Sequence, residues 1–489
     1  MEIQAGICYA DFILEQYLGT VFFHKEVSSV KTVLRGGFVV SGRGCRRADV
    51  LIDGEKIEKV GHIPPDLAAQ SEIVDVTGCT LFPGFIDAHT HFDLDVCNTT
   101  TADDFESGSK SAIRGGTTTV IDFACPNKGE SLAYGLDLWH KKADGKCYCD
   151  YGFHMTIDDW NESIESELDA MFDAGITSFK MYLTYPAMMI GDGAVYRALK
   201  ALKVRGGIAG VHCENAGVID ERIAELKASG LGADVVSHPV SRPDYLEAEA
   251  VSRLLRIAQA ADAPVIIVHT TNRASLAEIA AARRRGQTVY VETCPQYLAL
   301  DDGVYYDPDF SSAARYVCAP PIRSQEDSEA LWKALRRGEV QTISTDHCSF
   351  TLEQKDMGRE DFTKIPGGLP GVETRGEVVY TIAASEKKLS LAGVCRALSE
   401  NPAKLYGLFP RKGVIAAGSD ADIVVYDPGA SHVLRGAELL SKAGYTPFEG
   451  FRTNGGIAKV YLRGSLQVDG GKVIGGKMGE YLKRGKCAL

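Results

Sequence analysis

Eight short apolar runs, separated by stretches rich in Ala, Leu, Glu, Lys and Arg, constrain this fold more than any other feature of the chain. They are LFPGFIDAH (81–89), TTTVIDFA (117–124), DYGFHMTI (150–157), SFKMYL (178–183), GIAGVH (207–212), PVIIVH (264–269), TVYVETC (288–294) and QTISTD (341–346). Such a rhythm predicts parallel strands joined by crossover helices, and eight units close a (β/α)8 barrel. The flanks read differently. KTVLRGGFVV and ADVLIDGEKIEKVG near the start, with ADIVVYDP and IAKVYLRGSLQVDGGKVI near the end, alternate apolar and polar residues around glycine turns. That is the period of half-buried antiparallel strands. The expected organisation is an α/β chain: a TIM barrel over 81–409, a small β-sandwich built from 32–80 and 410–480, and an N-terminal extension, 1–31, of no evident role.

Residues with chemistry collect where the runs end. Runs one, five, six and eight finish on His89, His212, His269 and Asp346, and His91 follows two residues after the first. A barrel carries its active site at the carboxyl ends of its strands, so these side chains should converge. Strand alternation puts His89 and His91 on one face, and Ser178, Lys180 and Tyr182 on one face of the fourth run. Two imidazoles at i and i+2 can grip one ion, His212 and His269 can hold a second, and Asp346 can add an oxygen. His154, His238 and His347 fall outside this pattern and are read as structural or supporting residues.

Lys180 is the one charge in the apolar stretch ITSFKMYLTY. Beside two dications an ammonium would suffer repulsion of several kcal/mol even at an effective dielectric of about 20. Desolvation and nearby cations both favour the neutral amine. A neutral amine can take up carbon dioxide as a carbamate, an anion whose two oxygens can bridge two metals. The alternatives are that Lys180 pairs with a buried carboxylate, or that the strand is displaced and the amine reaches solvent.

From about Thr32 to Gly476 the chain resembles the cyclic amidohydrolases, above all the dihydropyrimidinases and D-hydantoinases. The resemblance rests on GFIDAHTHFD, SFKMYLTY, VHCEN, VHTTN, ETCPQYL, STDHCSF, DFTKIPGGLPGVETR and NPAKLYGLFPRKGVIAAGSDADIVVYDP, in that order. It implies two Zn2+ per subunit: His89 and His91 on one, His212 and His269 on the other, carboxylated Lys180 (N6-carboxylysine) and a hydroxide bridging both, and Asp346 completing the first. It also implies that Asp346 shuttles the proton, that Tyr185 steadies the oxyanion, and that main-chain groups near Ala319 and Gly367 read the substrate imide. The reaction would open a dihydropyrimidine or a 5-substituted hydantoin to an N-carbamoyl amino acid.

Departures from the family pattern bear on the substrate. Gly367 and Ala319 stand where an Asn and a Ser are common, and Asp95 and Val96 replace a frequent Pro-Phe pair. Asp93 occupies the place of the arginine that holds the carboxylate in dihydroorotases, which argues against a carboxylated ring. An allantoinase-like activity on another cyclic ureide, a metal-free scaffold related to the dihydropyrimidinases, and a mononuclear deaminase are the rival readings. The last two would lack, respectively, the metal ligands and the bridging lysine.

Composition narrows the partners. A net charge of −12, without a dense basic run beyond Arg283, Arg284 and Arg285, argues against nucleic acid. No stretch of about 18 apolar residues is present, and Asp11 and Glu15 interrupt the start, so neither a membrane span nor a signal peptide is expected. Thirteen cysteines without a CxxC pair suit a reducing compartment. The expectation is a cytoplasmic homo-oligomer, a tetramer or dimer, acting on a small cyclic ureide or imide.

Overall fold

The computed structural model describes residues 31–489. The extension expected over 1–31 therefore lies, but for Lys31, outside the described residues. All eight apolar runs supply strands of one parallel sheet, neighbours in sequence being neighbours in space: Phe85–Thr90, Thr117–Ala124, Asp150–Thr156, Ser178–Tyr182, Ile208–His212, Val265–Ile267, Val289–Thr293 and Thr342–Ile343. The ring closes just past the eighth strand, where His347 bridges Thr90 in parallel, donating its N–H to His89 O (3.3 Å) and accepting from His91 N (2.8 Å). The strands are buried on both faces, which is why they read as continuous apolar runs rather than alternations.

Local chemistry starts and stops the outer helices. Asp104, Asn161, Asn215 and Asn272 each accept an N–H from the first turn of the helix that follows, and Asp104 forms a capping box with Ser107. Helix Asp192–Arg205 ends on Gly206 in the left-handed region (φ 75°), which turns the chain into the fifth strand.

The first run is shared between two sheets. Thr80–Pro83 is a strand of the β-sandwich and the barrel strand begins only at Phe85. Gly84 makes the passage, since a Cβ there would collide with Thr118 and Asp422. Segments that precede and follow the barrel in sequence, within 31–83 and 423–473, build the sandwich. Strands Lys56–Gly61, Asp49–Asp53, Lys31–Arg35 and Ser71–Asp75 form one sheet. The other is ordered Lys472–Val473, Ser465–Asp469, Gly456–Leu462, Ile423–Asp427, Thr80–Pro83, Phe38–Ser41 and Gly44–Arg47. Leu34, Val50 and Ile52 from the first pack on Val39, Leu81, Ile423 and Val425 from the second.

A buried ion cluster joins the sandwich to the barrel. Lys412 Nζ lies 2.6 Å from Asp150 at the foot of the third barrel strand, and 2.7 and 3.0 Å from Asp422 and Asp420. Residues beyond Gly476, where the resemblance stops, cross the amino-terminal end of the barrel. Leu482 N donates to Tyr151 O (2.7 Å), and Arg484 donates to Ser178 Oγ (2.7 Å) and to Phe153 O. That end is plugged by the tail, and the carboxyl ends of the strands remain as the mouth. Among the described residues no helix is long and apolar enough to cross a membrane.

Candidate active site

His89, His91, Lys180, Tyr185, His212, His269, Ala319, Asp346 and Gly367 all border one cavity of about 450 Å3 at that mouth. His89, on the first strand, and His91, just past it, place their Nε2 atoms 3.1 and 3.2 Å from Asp346 Oδ1, just past the eighth. Donor atoms of His89, His269 and Asp346 all lie within 4.8 Å of one another. The His212 ring centroid is 4.5 Å from that of His269, and His269 is 5.5 Å from His89. Residues spread over more than 250 positions of chain thus meet because four different strands end at the same place.

Lys180 Nζ sits among them. The residue is 1% exposed, its amine lies 3.4 Å from His89 Nε2 and over the faces of Phe123 (4.9 Å) and Tyr182 (5.1 Å). Among the described residues no carboxylate lies within ion-pair distance of it, which removes the expectation of a buried acidic partner. Its burial equally removes the solvent-exposed alternative. Burial pushes the amine below its ordinary range, although Asp346 and Glu292 oppose this.

The electrostatics favour bare nitrogen donors and an ionised carboxylate. Burial lowers His91 to about 4 and carries His269 well below its ordinary value. His89 is the exception: burial and Lys180 lower it, but Asp346 and Glu292 outweigh them. For Asp346 burial works upward, yet His89, His91 and His269 hold it well below the carboxylate range.

The backbone is strained at the same place. Tyr185 (φ 64°), His269 (φ 37°) and Asp346 (φ 53°) take left-handed conformations that side chains avoid, as do Asp93, Cys97 and Asn98 in the lip. Each such residue costs on the order of 1–3 kcal/mol, and such outliers cluster where function over-determines geometry.

Two supporting acids were not picked out from the sequence. Glu292 Oε1 accepts from His89 Nδ1 at 2.6 Å, which fixes the ring and turns Nε2 into the site. Glu214 Oε2 lies 2.7 Å from His212 Nε2 and 2.8 Å from Arg242 Nη1, leaving His212 Nδ1 as the ring's free donor. The signal was legible in part: Glu292 is an acid inside the apolar run TVYVETC, and Glu214 stands two residues past a strand-end histidine. Arg242 borders the cavity too, but Glu214 engages it and its guanidinium lies 5.9 Å from the Tyr185 ring.

His154, His347 and His238 are structural. His154 bonds Ser178 Oγ (2.6 Å) and Ala88 O (3.0 Å) deep in the barrel, and His347 bonds Asp103 (3.1 Å) and accepts from Gly371 N and Val372 N. His238 borders the cavity but bonds Cys318 O (2.8 Å). Asp93 does not border the cavity. Its carbonyl accepts from Lys142 Nζ and its carboxylate lies 3.9 Å from that amine, so it presents no charge to a ligand. Asp95 is exposed and bonds Thr100 Oγ1, whereas Leu94, Val96, Met188, Ile223, Phe362 and Ile365 give the cavity an apolar wall.

The fold and the site together define a barrel hydrolase. Comparison with known proteins places it within that class: residues 80–467 match the model of the amidohydrolase family. The chain is 39% identical over 465 residues to a D-hydantoinase of Streptomyces coelicolor, covering 94% of this chain and 99% of that one. It is 37% identical over 461 residues to a D-phenylhydantoinase of Escherichia coli, with 93% and 98% covered. Among solved structures, a dihydropyrimidinase from Brevibacillus agri superposes with a TM-score of 0.92 at 39% identity, covering 94% of this chain and all of that one. An L-hydantoinase from Arthrobacter aurescens superposes at 0.83 with 28% identity, covering 93% and 99%. This chain belongs to the amidohydrolase family.

Proposed function

We propose that this enzyme hydrolyses the ring amide of 5-substituted hydantoins, and of dihydropyrimidines more slowly, to N-carbamoyl amino acids with the help of two zinc ions. One observation carries the reading: four imidazoles, an unpaired buried amine and a carboxylate meet in a cavity large enough for a substituted ring and walled on one side by apolar residues. The donor set fits two zinc ions, which take nitrogen donors and an ionised carboxylate: burial favours neutral His91, His212 and His269, Glu292 engages His89 through Nδ1 and leaves Nε2 facing the site, and Asp346 is ionised. His89, His91 and Asp346 would hold one ion, His212 and His269 the other, and Lys180 as its carbamate would serve both. Bound zinc would lower the pKa of water to about 7 and polarise the ring carbonyl.

The remaining work belongs to side chains. Asp346, ionised and next to both His89 and His91, takes the proton of the attacking water and returns it to the departing ring nitrogen. Burial keeps the Tyr185 phenol protonated, so its hydroxyl can donate to the carbonyl oxygen as charge develops there. The carbon–nitrogen bond of the ring breaks, leaving a carboxylate at one end and a ureido group at the other. Main-chain groups at Ala319 and Gly367 orient the ring, while Leu94, Val96 and Phe362 receive the substituent.

An apolar wall favours an aromatic or branched substituent over the polar ureido group of allantoin. The test is a panel of dihydrouracil, 5-phenylhydantoin and allantoin with zinc-loaded protein. The highest kcat/KM is expected for 5-phenylhydantoin, and absence of ring opening on all three would overturn the proposal.

A further inference from the structure

We infer that Lys355, outside the metal cluster, is a positioning residue that sets the spacing of the two main-chain segments that read the substrate ring. The inference rests on the proposed function and deepens it. Lys355 ends the short helix Leu352–Lys355, is 1% exposed, and has no carboxylate partner among the described residues. Its ammonium donates instead to three carbonyls: Val317 O at 2.8 Å, Pro366 O at 2.6 Å and Gly368 O at 2.8 Å. Phe350 closes the remaining side, with its ring centroid 5.7 Å from Nζ.

Those carbonyls are not a random set. Val317 lies two residues before Ala319, and Pro366 and Gly368 flank Gly367, so one cation grips both segments whose middle residues border the cavity. The segments also touch directly, Gly368 N donating to Val317 O (3.0 Å). The preceding residue extends the same device to the lip. Gln354 Nε2 donates to Thr99 Oγ1 (2.7 Å) and Thr100 O (2.8 Å), in the hairpin that carries Val96 and Cys97. One helical turn therefore ties three separate parts of the mouth together.

An amine is suited to this task. Its three protons point to three acceptors, and a charge-assisted bond to each carbonyl is worth more than a neutral one. A desolvated ammonium is tolerated here only because all three donors are used. The result is a rigid floor that holds the peptide groups at Ala319 and Gly367 at the cavity's edge, where they can meet a ring imide. Lys355 touches neither the reacting atoms nor the metal ligands, so its effect should fall on ring binding rather than on bond cleavage.

The test compares wild type with Lys355→Met and Lys355→Arg, both zinc-loaded, on 5-phenylhydantoin and dihydrouracil, together with the inhibition constant of acetohydroxamate. A hydroxamate chelates metal and needs no imide recognition. For Lys355→Met, KM should rise about tenfold or more on both rings, with kcat, zinc content and the acetohydroxamate constant close to wild type. Lys355→Arg, which keeps the charge but not the three-way geometry, should fall between. A wild-type KM in folded Lys355→Met, or losses shared equally by KM, kcat and the hydroxamate constant, would overturn the inference. Failure of both variants to fold would overturn it too, marking Lys355 as a purely structural staple. A wild type inert on every cyclic ureide would instead remove the functional reading, and this inference with it.

Discussion

Lys180 Nζ stands 3.4 Å from His89 Nε2, an amine facing an imidazole, with aromatic rings over it and, among the described residues, no carboxylate within ion-pair distance. Such a contact is unfavourable when both groups are protonated, and burial already depresses the lysine. It becomes favourable once the amine is converted to an anion between cations.

The native protein, kept near neutral pH, should therefore carry about 44 Da of extra mass on Lys180 that is lost in acid together with the metals, as native mass spectrometry would show. Lys180→Ala should hold less zinc and lose activity by about a hundredfold or more. A free amine in fully metallated, active enzyme would contradict the assignment.

Tyr185 holds a left-handed backbone conformation (φ 64°) with its ring 5.1 Å from His212 and near the Arg242 guanidinium. The strain is worth bearing if the hydroxyl must reach one point in the cavity. Removing a single oxyanion donor costs about 10²–10³ in kcat, so Tyr185→Phe should lose activity in that range while KM and zinc content stay near wild type. A large rise in KM with kcat unchanged would make Tyr185 a binding residue instead.

Much of this architecture was legible in the sequence, because parallel barrel strands buried on both faces write themselves as apolar runs, and because ligand-type residues stood at the ends of four of them. His89, His212, His269 and Asp346 needed only strand ends to be placed. Other features were hidden for physical reasons. The first run looks continuous, but Gly84 hands it from the sandwich to the barrel in one residue, a change of partner that periodicity cannot register. Asp93, next to the HxH pair, turns out to face Lys142 because its backbone is left-handed. Lys355 and Arg484 do their work on carbonyl oxygens, and main-chain acceptors leave no mark in a sequence.

Lys412 gives the barrel and sandwich a shared charge. It is 2% exposed and faces Asp150, Asp420 and Asp422 within 3.0 Å. Asp150 would keep Arg463 and Asp420 would keep Lys56 and Arg411, but buried Asp422 would lose its one cationic partner among the described residues, and Lys412→Met should destabilise the fold by about 3–5 kcal/mol at pH 7. The pH dependence has a definite sign. Burial alone would raise Asp420, but Lys412, Lys56 and Arg411 hold it at about 2, below its ordinary 3.8. A carboxylate depressed on folding contributes stability that is present above pH 3.8 and lost as pH falls through about 2. Asp422 is raised by burial even beside Lys412, so without that lysine it takes up a proton at still higher pH, and the gap between wild type and Lys412→Met in urea denaturation should be largest at neutral pH and shrink as the pH falls. A gap that stays constant down to pH 2 would mean that packing, not charge, is what Lys412 supplies.

Gly367 is a glycine that its own surroundings do not require. Its φ lies outside the left-handed region that favours glycine, and a Cβ built on it would meet Ala319 N at 3.9 Å and Ala319 Cβ at 4.0 Å, ordinary contacts. Replacing such a glycine restricts the unfolded chain without straining the folded one, so Gly367→Ala should stabilise the protein by about 0.4–1 kcal/mol in denaturant titration. The added methyl would stand beside Ala319, at the edge of the cavity where the ring is read. If the missing side chain there enlarges the range of rings accepted, KM should rise for 5-phenylhydantoin and change little for the smaller dihydrouracil. Equal shifts on both rings would place the methyl against the imide common to them, and would assign the breadth of the pocket to the Val96 and Phe362 side of the cavity.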